Sequence, residues 1–486
     1  MYNKKMRRIK NISSILSFFF LTVIIVVLTF FFLEQSIISK VTPGYYFEPI
    51  SVPTQIMLTV VILMLISIFA IHFINKIRLS ANGIIIVSVI LAIFFMTLLN
   101  VLSIPESRTL SVKFLDGTFH DVILTLSPAK RVTSILTLII NMAFIYFVIL
   151  VLPNHSYFLA IIKFFVATIV FVSIAAVLYS VITEREIILT LIKNGFSNTR
   201  EVPTSFFNNR NPYASFLLSA QVMTVFLYYL TIRKKRRFVL FWSQIPLIIF
   251  IFLTFSKTNI ILSLGLFTFV FYRHLWYLYK KGYYVRLTIQ TMISSGLLVT
   301  LVIFRLMPPL STTMLGKFLH GFIPDEIFGV GVSTFGTRIK LWRYAISLII
   351  ASPTTFLIGD GFHISRYFYQ MRIDQEMGRP LSYDFGDYHN GTVEVFHTFG
   401  LIGVILYALI FIIIIILVIR RRNTDRPLAF FIFISMLIFI TRSQSESMAL
   451  LLFKSEGIMA SFTFILPFLY LNKLAHKEGF GKEIKS

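Results

Sequence analysis

The 486-residue chain contains no cysteine, which excludes disulfide bonds and metal sites built on thiolates. Charged residues are also scarce. They make up 14% of the chain, against about 25% in soluble globular proteins. Hydrophobic residues supply 57% of the sequence, with 53 Phe among them. We therefore predict a protein built for the lipid bilayer.

Acidic residues are the rarer of the two charge types, and the formal net charge is +24. Such an excess of cations is typical of proteins that bind nucleic acid. Here, however, most of the Lys and Arg residues fall in short segments between long apolar stretches. This placement is typical of cytoplasmic loops in membrane proteins, and we exclude nucleic acid as a partner.

Apolar stretches of about 20 residues predict membrane helices. The sequence predicts about 12 spans, at residues 13–33, 53–74, 81–102, 132–152, 157–181, 212–232, 238–255, 258–279, 287–307, 393–419, 428–441 and 456–471. The first stretch is longer than the apolar core of a signal peptide and lacks a small-residue cleavage site. We expect an all-α, polytopic membrane helix bundle that forms a single integral membrane domain over residues 1–486.

The positive-inside rule gives the expected orientation. Cations cluster at both ends of the chain and in alternate loops, such as 233–237 and 420–426. Lys130 and Arg131 lie on the opposite side, in a loop that also carries acidic residues. We therefore predict a multi-pass membrane protein with both termini in the cytoplasm. The largest extracytoplasmic segment is then the helical loop 308–392.

Within this loop, residues 337–352 predict a helix, with Thr337 as its N-cap and Pro353 after its end. Arg338 and Trp342 share one face of this helix, and Lys340 and Arg343 add two cations. Cations in the first turn of a helix are unfavourable because the helix dipole is positive there. A docked phosphate would remove this conflict. The alternative is that the cations meet lipid headgroups at the membrane surface.

The polar stretch 366–379 has balanced charges, which favours a solvated loop. The alternatives are a lid and a sugar-contacting surface.

His389 follows this stretch, at the mouth of the predicted span 393–419. An imidazole there could accept a proton from a sugar hydroxyl, because imidazoles titrate near neutral pH. The alternative is a histidine that caps the helix or bonds to the backbone.

Five features together resemble the O-antigen ligase and repeat-unit polymerase superfamily of bacterial envelopes. The loop and the span after it carry, in the order that this superfamily shows, Arg338-Ile339-Lys340-Leu341-Trp342, Pro353, Gly359-Asp360-Gly361, His389-Asn390 and, in the span, Gly400-Leu401-Ile402-Gly403. Upstream, Asn209-Arg210-Asn211-Pro212-Tyr213-Ala214 resembles its Asn-Pro-Asn entry to a span. Thr254-Phe255-Ser256-Lys257-Thr258 resembles its Ser-Arg turn. Lys257 replaces the Arg and so loses the bidentate fork.

The resemblance implies a glycosyltransferase C-like fold and metal-independent transfer of a glycan from undecaprenyl pyrophosphate, without a cofactor. It implies that Arg338, Lys257, Arg210 and, with less weight, Arg343 bind the pyrophosphate. His389 and Arg338 would be the catalytic residues. Asn390, Trp342 and Asn211 would support them. The expected partners are the lipid-linked oligosaccharide and membrane lipid, with a chain-length regulator and a flippase as further candidates.

Three functions remain open at this point. A ligase needs a lipid A core acceptor, whereas a polymerase needs a second lipid-linked repeat unit. Abundant Ile, Phe, Lys and Asn indicate an AT-rich genome, which is compatible with a Gram-positive source and favours a polymerase. A flippase or transporter would carry ionisable groups at mid-membrane, but here the span interiors are almost free of charge, Lys163 being the clearest exception.

Overall fold

The computed structural model describes residues 81–128, 158–193, 202–205, 210–231, 234–285, 334–362, 364–378 and 388–444, and isolated residues within 130–139, 288–292 and 463–471. The described part of the chain is mostly helical. In chain order its elements are α1 (Ala81–Ser103), β1 (Ser107–Lys113), β2 (Phe119–Thr125), α2 (Phe158–Thr183), α3 (Arg185–Lys193), α4 (Arg210–Leu230), α5 (Lys234–Trp242), α6 (Gln244–Leu253), α7 (Lys257–Lys280), α8 (Thr334–Ile350), α9 (Pro353–Ile358), α10 (Ile364–Met377), α11 (Gly391–Arg421) and α12 (Arg426–Ser443).

Four helices within the described residues are long and apolar enough to cross a membrane, namely Tyr213–Leu230, Lys257–Lys280, Gly391–Arg421 and Arg426–Ser443. They coincide with the predicted spans 212–232, 258–279, 393–419 and 428–441. Helices α1 and α2 occupy the predicted spans 81–102 and 157–181. The predicted spans 13–33 and 53–74 lie outside the described residues, as does most of 132–152, 287–307 and 456–471.

The predicted span 238–255 is two consecutive helices, α5 and α6, rather than one. They are separated at Ser243, whose backbone angles remain right-handed helical (φ −64°, ψ −11°). Pro246 has no N–H, so the carbonyl of Trp242 loses its helical hydrogen bond. The proline accounts for the interruption of the predicted span.

The chain divides into two compact units. The first contains residues Met1–Glu34, Thr42–Phe164 and Thr334–Ser486, and the second contains Gln35–Val41 and Phe165–Ser333. In the second unit, α4 packs against α5, α6 and α7. In the first unit, α11 packs against α1, α8, α9 and α12. The described residues of the loop predicted at 308–392 are 334–362, 364–378 and 388–392, and they form mainly the helices α8, α9 and α10.

A β-hairpin of β1 and β2 is the one sheet among the described residues, and the all-α expectation did not include it. The strands pair antiparallel, with Ser107 opposite Thr125 and Lys113 opposite Phe119. Apolar residues alternate along both strands, and Val112, Val122 and Leu124 are buried against α8 and α10. This alternation was the available sequence signal.

Helix α10 corrects the expectation of a solvated loop at 366–379. The helix runs from Ile364 to Met377, and Phe368, Tyr369, Arg372 and Asp374 on it are buried. Gln375 ties the helix to the hairpin, because its side-chain amide both accepts from the backbone N of Ile123 (3.1 Å) and donates to its carbonyl (2.7 Å). A balanced set of charges here reflects buried pairing rather than solvation.

Helix α8 begins at Thr334 and ends at Ile350, so Thr337 lies inside the helix and is not its N-cap. Ser352 instead caps the next helix, α9, by accepting a hydrogen bond from the backbone N of Thr355, with Pro353 in the first turn. Proline is well suited to this place because a first-turn N–H has no helical partner. Arg338 is therefore the fifth residue of α8, one turn further along than predicted.

Two glycines allow the end of α9 to cross α11 at backbone contact. Gly359 (φ 73°, ψ 175°) and Gly400 (φ 67°, ψ −172°) both adopt a conformation that is essentially restricted to glycine. A Cβ atom on Gly359 would lie 2.4 Å from the backbone of Thr398 and Phe399. One on Gly400 would lie 2.3 Å from the backbone of Leu357 and Ile358. Gly400 also marks a kink within α11.

We predict that Gly400→Ala lowers the melting temperature of the detergent-purified protein, because both the backbone angles and the contact with α9 exclude a side chain. The expected cost is about 2–5 kcal/mol, from left-handed strain and overpacking together. Gly265→Ala in α7 is the control, since a Cβ there meets no atom within 4 Å. Equal melting temperatures for the two variants would show that the crossing tolerates a methyl group.

Candidate active site

The segment Tyr388–His389–Asn390 leads into α11, and Asn390 caps that helix. Its side-chain oxygen accepts hydrogen bonds from the backbone N of Thr392 (2.9 Å) and of Val393 (3.1 Å). Its amide also donates to the carbonyl of Gln444, after the end of α12 (3.3 Å). Asn390, and not His389, is therefore the residue that caps α11.

His389 adopts a left-handed backbone conformation, with φ of 49°. Such a conformation costs a non-glycine residue about 1–3 kcal/mol and persists only where the surrounding structure imposes it. The histidine is half-buried. Both of its neighbours in the chain, Tyr388 and Asn390, are buried. The structure therefore holds this imidazole on a constrained turn, partly open to its surroundings.

Trp342 connects α8 to this turn. Its indole N–H donates a hydrogen bond to the carbonyl of Tyr388, the residue before His389, at 3.0 Å. Arg338 lies one helical turn before Trp342 on the same face of α8, and its side chain is half-buried. The structure thus brings the Arg338–Trp342 face of α8 and the His389–Asn390 turn into one unit, through a direct contact.

The other cations of α8 point elsewhere. Lys340 and Arg343 are exposed. With 3.6 residues per turn, Lys340 lies about 200° and Arg343 about 140° around the helix from Arg338. The prediction that these cations start the helix is wrong, because the helix begins at Thr334 and Arg338 is its fifth residue. Arg338 is the cation that shares a face with Trp342.

A buried polar cluster lies behind the turn. The carboxylate of Asp360 accepts hydrogen bonds from Arg108 Nη2 (2.8 Å) and Thr355 Oγ1 (2.9 Å). His397 Nε2 lies 3.1 Å from the same carboxylate, and His397 Nδ1 lies 2.7 Å from the Tyr388 hydroxyl. Burial alone would raise the pKa of Asp360, but the hydrogen bonds and the guanidinium outweigh it and hold that pKa below its usual value.

Tyr388 is fully buried, and its phenol remains a hydrogen-bond donor. Burial raises the pKa of Tyr388 well above its ordinary value, with the nearby carboxylate of Glu394 acting in the same direction. Glu394, in the first turn of α11, pairs with Arg366 of α10 at 2.7 Å. The ring of Tyr388 also packs against Tyr369, with 4.5 Å between the ring centres.

The remaining predicted site residues lie in the second unit, where they form their own group. Ser256 donates a hydrogen bond to the side-chain oxygen of Asn211 (3.0 Å), and Asn259 donates to Ser256 (2.8 Å). These bonds join the N-termini of α4 and α7, at which Arg210 and Lys257 are the first residues. Lys257 is exposed and Arg210 half-buried. Helix N-termini attract anions because their N–H groups are unsatisfied.

Sequence reasoning did not anticipate the cluster of Arg108, Asp360, His397 and Tyr388. Asp360 was noted only as part of a turn between two glycines. Arg108 had no local signal at all, because it lies 252 residues away from its partner. Among the described residues, no group of three or more His, Asp or Glu side chains forms a candidate metal site.

Residues 243–408 match the family model described as O-antigen ligase. The matched region contains Lys257, Arg338, Trp342 and the His389–Asn390 turn, whereas Arg210 lies upstream of it. The match confirms the resemblance to the O-antigen ligase and polymerase superfamily. No curated protein matches the chain.

We predict that Asn390→Ala destabilises the protein by about 1 kcal/mol, because α11 loses its N-terminal cap. Asn390→Ser is the matched control. It also loses the bond to Gln444 but keeps a side-chain oxygen that can cap the helix. The measurement is the melting temperature of both variants in detergent, and the alanine variant should melt lower. If the two melt together, the cap contributes nothing to stability.

Proposed function

We propose that this protein polymerises undecaprenyl-pyrophosphate-linked oligosaccharide repeat units into a surface polysaccharide, by metal-independent glycosyl transfer at the outer face of the cytoplasmic membrane. The observation that carries the proposal is the hydrogen bond from Trp342 to the carbonyl of Tyr388. It joins the helix that bears Arg338 to the turn that bears His389. The O-antigen ligase match over residues 243–408 supports a glycan-transfer reaction.

The donor chemistry accounts for a cation at Arg338. As the bond between the sugar C1 and the pyrophosphate oxygen breaks, negative charge builds up on the leaving group. A guanidinium already in position stabilises this charge without having to reorganise, and a site partly shielded from water strengthens the effect. Arg338 is half-buried, and its planar fork can bind two phosphate oxygens at once.

The acceptor chemistry accounts for the imidazole of His389. One ring nitrogen takes the proton from the acceptor hydroxyl, the hydroxyl oxygen forms the new bond to C1, and the pyrophosphate leaves with the electrons of the old bond. Attack opposite the leaving group inverts the configuration at C1. Fixed geometry matters most in such a step, because the two reactants must meet at bonding distance and in line.

Lys257, Arg210 and Asn211 of the second unit are also proposed to bind pyrophosphate, with Arg343 as a weaker candidate. The support is the bond between Ser256 and Asn211, which holds the N-termini of α4 and α7 together. Two helix N-termini with a cation at the head of each suit an anionic headgroup.

A ligase that moves a finished glycan to another acceptor is the second candidate, and the match to the O-antigen ligase family favours it. The composition of the chain favours the polymerase. Glycan analysis of a deletion strain separates the two. Accumulation of single repeat units indicates a polymerase, and full-length polymer left unattached indicates a ligase. A flippase would not lengthen lipid-linked glycan when the purified protein is assayed in detergent.

We predict that Arg338→Ala reduces glycan extension about 100- to 1000-fold, because the leaving pyrophosphate loses its charge partner. Lys340→Ala is the matched control, since Lys340 is an exposed cation on another face of the same helix. The measurement is product length from purified protein and lipid-linked oligosaccharide, with the amount of protein in the membrane fraction as the check on insertion. Normal chain length in Arg338→Ala would contradict the assignment.

We predict that Lys257→Arg retains most of the activity and that Lys257→Ala loses about tenfold. The smaller effect is expected because Lys257 is exposed and water screens its charge. Arginine keeps the positive charge and adds the bidentate fork. The same extension assay measures both variants. An equal loss in the two would remove Lys257 from the charge-neutralising role.

A further inference from the structure

A chain of polar contacts runs from the His389 turn into the interior of the first unit. It begins at the Tyr388 hydroxyl, passes through the His397 imidazole and the Asp360 carboxylate, and ends at the Arg108 guanidinium. The successive distances are 2.7, 3.1 and 2.8 Å. The four side chains come from the turn itself, from α11, from the link between α9 and α10, and from β1. All but Arg108 are fully buried.

With a neutral imidazole at His397, one arrangement of protons satisfies every contact in this chain. Arg108 donates only, and an ionised Asp360 accepts only. His397 therefore donates from Nε2 to Asp360, which leaves Nδ1 as the acceptor for the Tyr388 hydroxyl. The raised pKa of Tyr388 keeps its proton in place for this bond. The charge on Asp360 thus selects the tautomer of His397, and the tautomer selects the direction of the Tyr388 bond.

Tyr388 is held at three points. Its hydroxyl is bound by His397, its carbonyl by Trp342, and its ring packs against Tyr369. On the other side of His389, Asn390 is held as the cap of α11. The contacts that hold Tyr388 and Asn390 therefore impose the strained φ of 49° on His389, which lies between them.

The geometry points to His397, Asp360 and Arg108 as positioning residues that act through Tyr388 to fix the imidazole of His389. The inference rests on the proposed function, in which that imidazole takes a proton from the acceptor. None of the three needs to touch the substrate. Their role is to keep the turn in one conformation while the hydroxyl and the sugar C1 come together.

Stability alone is a poor explanation for such a cluster. Taking charges out of water costs several kcal/mol per ion, and apolar residues of similar volume often stabilise a protein as well or better. What ionic and hydrogen-bonded groups add is direction, because each contact fixes an angle as well as a distance. Arg108 is also secured on its other side, with its guanidinium 4.6 Å from the ring centre of Phe368 on α10.

The test is Tyr388→Phe, which removes only the hydroxyl, against Tyr369→Phe as the matched control. Tyr369 is equally buried, and its hydroxyl donates to the carbonyl of Leu341 (3.3 Å). The two ring nitrogens of His397 lie against Tyr388 and Asp360 instead. We expect kcat for glycan extension to fall about tenfold to a hundredfold in Tyr388→Phe, with KM for the lipid-linked donor unchanged. Tyr369→Phe should keep the kcat of the unaltered protein even if it melts at a lower temperature.

Asp360→Asn extends the test along the chain of contacts. It should lower kcat as Tyr388→Phe does. The double variant should be no worse than the poorer single one, because both changes break the same path. Additive losses in the double variant would overturn the linkage. Should Asp360→Asn fail to fold, the comparison of Tyr388→Phe with Tyr369→Phe still decides the inference.

Hydrogen exchange separates this inference from the proposed function, because it needs no activity. In the purified full-length protein, the backbone amides of residues 389–391 should exchange faster in Tyr388→Phe than in Tyr369→Phe. If the unaltered protein extends no glycan but the exchange rates differ in this way, the proposed function fails and the positioning of the turn stands. Equal exchange rates in the two variants would overturn the inference, and so would equal kcat values if the unaltered protein extends glycan.

Discussion

The buried carboxylate of Asp360 is the interaction on which the first unit depends. It accepts from the β-hairpin through Arg108 and from α9 through Thr355, and it pairs with α11 through His397. Its own backbone N–H donates to the carbonyl of His397 at 2.9 Å. One negative charge thus connects elements that start hundreds of residues apart. Because each donor is satisfied by the same group, displacing any one of these elements would leave a buried polar atom without its partner, at a cost of about 1–3 kcal/mol.

Glycine makes this arrangement sterically feasible. The carboxylate can reach the second turn of α11 only because the chain at Gly359 and the kink at Gly400 pass each other at backbone distance. The backbone N–H of Gly361 then donates to the carbonyl of Thr398 at 2.9 Å. Carbonyls that the kink frees from helical bonding are thereby satisfied by the turn rather than by water. Gly359 and Gly400 therefore serve the packing of α9 against α11, and this close packing allows the polar cluster around Asp360 to form.

The constrained turn at His389 lies at the edge of this rigid region. Trp342 holds it from α8, His397 from α11 by way of Tyr388, and Asn390 by way of the helix cap. A half-buried imidazole on a turn whose neighbours are both buried has few alternative positions. Under the proposed function, such constraint would suit a proton acceptor that serves two bulky, membrane-held substrates, because neither substrate can easily adjust to a moving group. The strain at His389 is then part of the proposed site rather than a defect.

Local patterns in the sequence determined the apolar helices, the glycine turn, the proline after α8 and the order of the motifs that led to the family. These features depend on residues within a few positions of one another, through helical periodicity, backbone sterics and hydrogen bonds to nearby N–H groups. Tertiary structure decided the rest. It turned the polar stretch after Arg366 into the half-buried helix α10. It showed that Lys340 and Arg343 are exposed and lie on other faces of α8 than Arg338. It also paired Arg108 with Asp360 across 252 residues. Patterns among neighbouring residues cannot predict that pair, because an ion pair depends on distance in space. Only the packing of the folded chain brings these two side chains to 2.8 Å.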